Sequence, residues 1–333
     1  MVSESIYRRG VAAKMVSESI FRILRGATPA GRRGLGYIAG MPASALALVI
    51  LAGLIHAIWN IAAKKAGGDS RFAAFTGLMG MFIWAPVGLW FGWDVVPGWG
   101  AIEWSFVVAS GVLHVLYYVT LLRGYRKADL TVVYPLARGS GPLLSSMVAI
   151  VLLGERITTL GIAGILAVVA GVFFIAGGPT LFHAAHDPAK KAGIRKGMAY
   201  GVLTGVFIAS YTVVDGYAVK VIAMSPILLD YFANAVRVVF LLPSMLRDRA
   251  VAAEHWRTQW KYALVVAVIS PIGYVLVLFA MQVAPLSHVA PAREVSMLFA
   301  ALIGGQLLGE GDRVARIAGA ACIAFGVMAL ALG

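Results

Sequence analysis

The residues of this sequence able to do chemistry are polar and ionisable side chains set at helical spacing inside otherwise apolar runs. Tyr134 and Arg138 lie four apart with Pro135 and Pro142 close by; Arg293 follows Pro291 and precedes Glu294, with His288 a turn earlier. A guanidinium can clamp a carboxylate or phosphonate with paired donors, and a proline frees a backbone carbonyl that can line a cavity. His56 and Asn60 share a helix face with Trp59 beside them, His114, Tyr117 and Tyr118 share another, and Tyr211 and Asp215 a third. Such side chains can bond a solute or tie one helix to the next. Asp215 and Glu294, carboxylates at the depth of an apolar run, are candidate proton carriers, or else partners that neutralise an arginine. The candidate substrate-binding set is therefore His56, Trp59, Asn60, His114, Tyr118, Tyr134, Arg138, Tyr211 and Arg293, with Asp215 and Glu294 as proton-coupling candidates.

Other polar groups have plainer readings. Asp230, Asn234 and Arg237 fall at i, i+4 and i+7, one stripe that can pair with itself. Glu155 and Glu310 end their spans just before a following helix, whose N-terminus attracts a carboxylate, so both read as structural. No Gly-x-x-x-x-Gly-Lys-Ser/Thr phosphate loop and no His-Glu-x-x-His set occurs, and His56, His114 and His288 fall on different helices. No catalytic residue and no metal site is expected. An intramembrane enzyme would need a site assembled from separate spans.

These side chains need elements that can hold them away from water. Of 333 residues, 60% are hydrophobic and 13% charged, about half the charge a soluble domain of this length carries, so the surface must be mostly apolar. The partner this implies is the lipid bilayer. A formal charge of +13 does not point to nucleic acid, because Lys and Arg sit in the N-terminal tail and between apolar runs, with no basic stripe interleaved with aromatics. Cys322 is the single cysteine, which excludes an intrachain disulfide.

Residues 1–40 repeat Met1-Val-Ser-Glu-Ser-Ile6 as Met15-Val-Ser-Glu-Ser-Ile20 and are basic; they read as a disordered tail, with Met41 opening the membrane domain. From there apolar runs recur at 43–63, 72–92, 104–122, 131–153, 158–177, 197–219, 226–246, 261–281, 286–308 and 314–332, near the ~20 residues that cross hydrocarbon as a helix. The polar stretch 178–196 divides them five and five, giving halves 41–178 and 197–333. Leu152-Leu-Gly-Glu155 recurs 155 residues on as Leu307-Leu-Gly-Glu310. At the same shift Ala137-Arg138 meets Ala292-Arg293, Ile162-Ala-Gly164 meets Ile317-Ala-Gly319, and Gly171-Val172 meets Gly326-Val327. Earlier in the halves, Gly53, Ala57 and Trp59 stand against Gly205, Ala209 and Tyr211. An odd number of spans per half inverts the second half in the bilayer, an arrangement that places a binding site near the midplane. The expected fold is thus all-α and membrane-embedded, about ten transmembrane helices in two inverted five-helix repeats.

Two five-helix units, each carrying Leu-Gly-Glu before a Gly-rich final helix, resemble the EamA domains of the drug/metabolite transporter superfamily. His56-Ala-Ile-Trp59-Asn60 with Lys64 is similar to the first-helix pattern of that group. The resemblance implies a multi-pass carrier of the bacterial cytoplasmic (inner) membrane, often an exporter of amino acids, metabolites or drugs. It implies no cofactor, a central cavity walled by helices 1, 3, 4, 6, 8 and 9, and cytoplasmic termini. The loop charges point the other way: Lys64, Lys65, Arg71, Arg123, Arg126, Lys127, Arg247, Arg249 and Arg257 share a side opposite to the N-terminus, and a positive-inside count would put the termini outside. The expected function is a secondary carrier of a small organic solute, with tyrosines and Trp59 suiting an aromatic part and the arginines an acid group. A flippase for lipid or lipid-linked sugar is the alternative. Gly-rich helix faces suit close packing, or contact with a second copy in a homodimer.

Overall fold

The computed structural model describes residues 40–67, 69–128, 130–175, 191–247, 249–308 and 313–333. The basic tail up to residue 39 and Glu310 lie outside the described residues. The chain runs through α1 Ala43–Ala66, α2 Ser70–Gly92, α3 Ala101–Lys127, α4 Leu130–Val151 and α5 Thr159–Ile175. The second half repeats this as α6 Lys191–Lys220, α7 Pro226–Leu246, α8 Arg249–Val283, α9 Leu286–Ala292, α10 Val295–Leu308 and α11 Arg313–Leu332. Among the described residues there is no strand. Helices prevail because backbone groups within lipid must be bonded inside their own segment. Six of them, α1, α2, α3, α6, α7 and α8, are long and apolar enough to cross a membrane, with Thr159–Ile175 and Ile317–Leu332 as shorter apolar helices. The helices that flank the repeated arginines, α4, α9 and α10, are not in that group.

The apolar runs locate every span, and two of the boundaries differ instructively. α8 begins at Arg249 instead of 261, because Arg249–Trp260 continues the helix into water with polar residues that hydropathy discounts. The ninth span, expected as one run over 286–308, breaks between Ala292 and Val295. Pro291 cannot donate a backbone N–H, and the chain tightens there: the Glu294 amide bonds Pro291 O (3.0 Å) and the Met297 amide bonds Glu294 O (2.8 Å), each three residues back. α9 and α10 together are therefore the counterpart of the unbroken α4.

Packing follows a two-fold exchange of the halves. α5 lies on its counterpart α11, α2 on α7, and α4 on α9; α1–α8 is matched by α3–α6, α1–α10 by α4–α6, and α2–α8 by α3–α7. The chain is thus an all-α membrane protein built from two inverted five-helix repeats. Both described ends meet on one face, where the Met41 amide bonds Ala331 O (3.2 Å), opposite the loops that hold Arg71, Arg126 and Arg247. Glycines fix the symmetric contacts. A Cβ on Gly53 would strike Val295 and one on Gly205 would strike Ser140, and both residues of each contact are repeat equivalents. On the α5–α11 seam, a Cβ on Gly171 would stand 2.6 Å from Gly319 O, and one on Gly326 would stand 2.7 Å from Gly164 O. Gly171→Leu should therefore prise the two final helices apart and lower stability by about 1–3 kcal/mol, the cost of overpacking. A lower melting temperature in detergent checks it; an unchanged one would show that the seam tolerates bulk.

Candidate functional site

The break in the ninth span presents Arg293 and Glu294 to the middle of the bundle, and α4 presents Arg138 to the same place. Arg138 Nη2 stands 2.7 Å from Glu294 Oε2, and Arg293 Nε stands 3.9 Å from Glu294 Oε1. Glu294 is 1% exposed. Two guanidiniums thus face one carboxylate. The close approach is an ion pair without hydrogen-bond alignment: neither Arg138 Nε nor Glu294 Oε2 has a hydrogen-bond partner within the protein. Arg138 Nη2 also donates to Ser296 Oγ (3.2 Å) on α10. Buried polar groups are nearly always satisfied, so those left without a partner mark where a polar solute can bind.

Aromatic rings wall this centre. Arg293 Nη2 reaches the Tyr211 hydroxyl at 3.4 Å, with the guanidinium carbon 5.7 Å from the centroid of the same ring. His114 stacks on Tyr211 at 4.0 Å between centroids, and Tyr117 meets Tyr211 edge-on at 5.8 Å. The His114 Nδ1–H donates to Ser110 O (2.8 Å) when that nitrogen bears the proton, which leaves Nε2 free to accept. Tyr134, one turn before Arg138, donates its hydroxyl to Met297 Sδ (3.1 Å). Beside this lies a second carboxylate. Asp215 is fully buried and accepts a hydrogen bond from the Tyr274 hydroxyl, while its Oδ1 has no partner.

The structure therefore brings His114, Tyr134, Arg138, Tyr211, Arg293, Asp215 and Glu294 to one centre. His56 lies on α1 one turn after Gly53, which packs on Val295 and Ser296. Trp59 stands edge-on to His56 (4.7 Å) and packs against the cluster of Phe72, Ala263 and Val266 on α2 and α8. Asn60 is exposed and turns back to donate to His56 O (2.7 Å). Tyr118 points to the basic face, where its hydroxyl donates to Asp69 O (2.8 Å) in the α1–α2 connection. His288 is buried beside Ser287 Oγ (3.1 Å) and responds to Glu155 and Lys220 rather than to the arginines. Tyr274, Ser110 and Ser296 were not singled out from sequence. The first is one tyrosine of the eighth run, three residues past Pro271, and nothing in its spacing sets it apart.

The remaining polar residues are structural ties. Arg237 pairs with Asp230 (3.2 Å), whereas Asn234 leaves that stripe and donates to Gly77 O (2.9 Å) on α2. Glu155 does meet a helix N-terminus, but not that of the helix following it. Its oxygens accept from the Leu286 and Ser287 amides (2.8 Å each) at the start of α9 in the opposite half, beside Lys220 Nζ (3.2 Å). Against the cost of burial, the Ser287 amide, the Lys220 ammonium and the Leu286 amide hold the Glu155 carboxyl below its ordinary range. The unsatisfied amides of a broken helix are the stronger attractor, which is why the chain reaches across.

Two inverted five-helix bundles packed around a buried, aromatic-walled polar centre make this a multi-pass membrane protein. The sequence profile of the EamA-like transporter family matches residues 43–177 and 195–332, and the chain belongs to that family. It is accordingly a membrane transporter of the drug/metabolite superfamily. A solved crystal structure of another protein superposes with a TM-score of 0.65 at 17% identity, over 87% of this chain and 98% of that one, a likeness of fold. No curated protein matches the chain.

Proposed function

We propose that this protein is a secondary carrier that exports a small anionic or zwitterionic organic solute, amino acid-like or drug-like, across a bacterial cytoplasmic membrane. The observation that carries this reading is the pair of guanidiniums around Glu294, with Arg138 Nε and Glu294 Oε2 lacking partners. An acid group entering the centre can take over Arg138, and the Tyr211–His114–Tyr274 rings offer a flat apolar wall to the rest of the solute. The halves 41–178 and 197–333 alternate about this point by rocking, as inverted repeats do. Glu294 and Asp215 are the groups that couple transport to protons.

A panel of amino acids, organic acids and toxic analogues tests this in cells expressing the full chain. We expect at least one acid-bearing compound to leave the cells faster, or to lose toxicity, with wild type but not with Arg138→Ala. Uniform behaviour of both variants across the acids, with export of cations instead, would reject the anionic reading.

A further inference from the structure

A second polar cavity opens on the basic face, of about 530 Å³, lined by Asp69 and Arg71 at the start of α2, Tyr125 and Arg126 at the end of α3, and Ser244 and Arg247 at the end of α7. Among the described lining residues three arginines stand with one aspartate, and His255 Nδ1 lies 3.6 Å from Asp69 Oδ1. That aspartate is already engaged: Asp69 Oδ1 accepts from the Arg71 and Phe72 amides (2.9 and 3.1 Å) as the cap of α2, and Oδ2 holds Arg71 Nη1 at 3.2 Å. Arg126 and Arg247 have no ion-pair partner among the described residues, and Arg71 Nε is buried without a hydrogen-bond partner. Cations kept on one membrane face for orientation need only be solvated on the surface. Here two exposed arginines, Arg126 and Arg247, line the same concavity as Arg71, whose Nε is withdrawn from water, and converging guanidiniums are the chemistry of an anion site.

One helix, α3, contributes residues to both the cavity and the centre. On α3, Ser110, His114, Tyr117 or Tyr118, and Tyr125 follow at spacings of three, four and seven, so they form one face that runs from the arginine centre to the mouth. Tyr118 fixes the corner of the mouth through Asp69 O. Tyr125 stands on the cavity wall.

We propose that Arg71, Arg126 and Arg247 form a vestibular binding site for a phosphate- or carboxylate-bearing anion, which it passes along the α3 tyrosine face to Arg138. The inference rests on the anionic reading of the central site and extends it to a second, outer station. The same chemistry would hold a free anion or the headgroup of an anionic lipid lying at the mouth.

Isothermal titration of the full chain in neutral detergent at low salt, with inorganic phosphate as the probe, tests the site, together with native mass spectrometry for retained phosphatidylglycerol. We expect Arg126→Gln/Arg247→Gln to weaken phosphate binding by about tenfold or more, since charge-assisted bonds are lost, whereas Arg138→Ala/Glu294→Ala, which removes both charges of the central pair, leaves it in place. Both arginines of the Arg126→Gln/Arg247→Gln double variant are exposed, so folding is not at risk, and an unchanged elution profile verifies this. If wild type shows no phosphate titration but keeps a phosphatidylglycerol that the double variant loses, the site stands and its ligand is a lipid headgroup. If the double variant alters neither phosphate affinity nor lipid retention, the vestibule is overturned. Phosphate binding abolished by Arg138→Ala/Glu294→Ala, with an unchanged elution profile, would likewise overturn it while leaving the central carrier site intact.

Discussion

Arg138→Ala should reduce transport of the acid-bearing solute by about ten- to a hundredfold, the range of one or two charge-assisted hydrogen bonds lost. The same substitution should also destabilise the chain, and the two effects must be separated. Glu294 is 1% exposed and has Arg138 as its near partner at 2.7 Å, whereas Arg293 Nε is 3.9 Å away. Removing one partner of a buried ion pair costs about 3–5 kcal/mol, because the other is left uncompensated. Arg138→Ala/Glu294→Ala removes both charges and should recover most of the melting temperature without recovering transport. If the double variant transports as wild type does, Arg138 is a strut between α4 and α10 and not a contact to the solute. Arg138→Lys sharpens the reading: a lysine keeps the charge beside Glu294 but is a point donor without the planar fork, so stability should be retained while affinity for an acid group falls. Arg293→Ala should cost less stability, since Glu294 keeps its closer partner.

The meeting of Arg138 and Arg293 was legible in the sequence because the two lie at one repeat shift and an odd count of spans inverts the second half. Their carboxylate was legible for the same reason: Glu294 adjoins an arginine at a depth where it needs a partner. The break that delivers Arg293 was not. Prolines stand in both spans, Pro135 and Pro142 in α4 and Pro291 in the ninth, and only the latter interrupts the helix. The neighbours explain the difference. α4 lies along Gly197, Gly201 and Gly205 of α6, each so close that a Cβ would press on Val132, Leu136 or Ser140. The equivalent positions of α1 are Ala45, Val49 and Gly53, so the ninth span gains a close glycine contact at Gly53 alone and is bulkier-faced elsewhere. Hydropathy does not register that contrast. Tyr274 carries no signal of its own in an apolar run that also holds Tyr262 and Ser270, and its meaning appears only where the buried Asp215 accepts its hydrogen bond. Glu155 was read correctly as a helix cap and assigned to the wrong helix, since spacing along the chain says nothing of a partner 131 residues away.

Glu294→Gln should abolish the pH dependence of both binding and transport. In wild type the carboxylate of Glu294 occupies the guanidinium that an acid group needs, so an anionic solute and the ionised carboxylate compete for Arg138. Protonating Glu294 ends that competition. By linkage, a proton that favours the anion must itself be favoured by the anion to the same degree, so the two bind together and affinity rises as pH falls; proton and anion then travel in the same direction, and export runs down the solute's own gradient. The amide introduced by Glu294→Gln resembles the protonated carboxyl in shape and charge, and the variant should bind the solute at alkaline pH as tightly as wild type does in acid. Its transport in proteoliposomes should no longer respond to an imposed proton gradient, although solute should still equilibrate down its own gradient. The groups facing this position are Arg138 from α4, Arg293 from the break, Ser296 from α10 and, within electrostatic reach, Tyr134 from α4. None of the other side chains is a carboxylate, so the titration belongs to Glu294. Asp215 is the other carboxylate of the centre, held by Tyr274 instead of an arginine, and Asp215→Asn provides the control. If that control removes the pH response and Glu294→Gln keeps it, the proton is carried on α6, and the arginine pair binds solute without coupling it to protons.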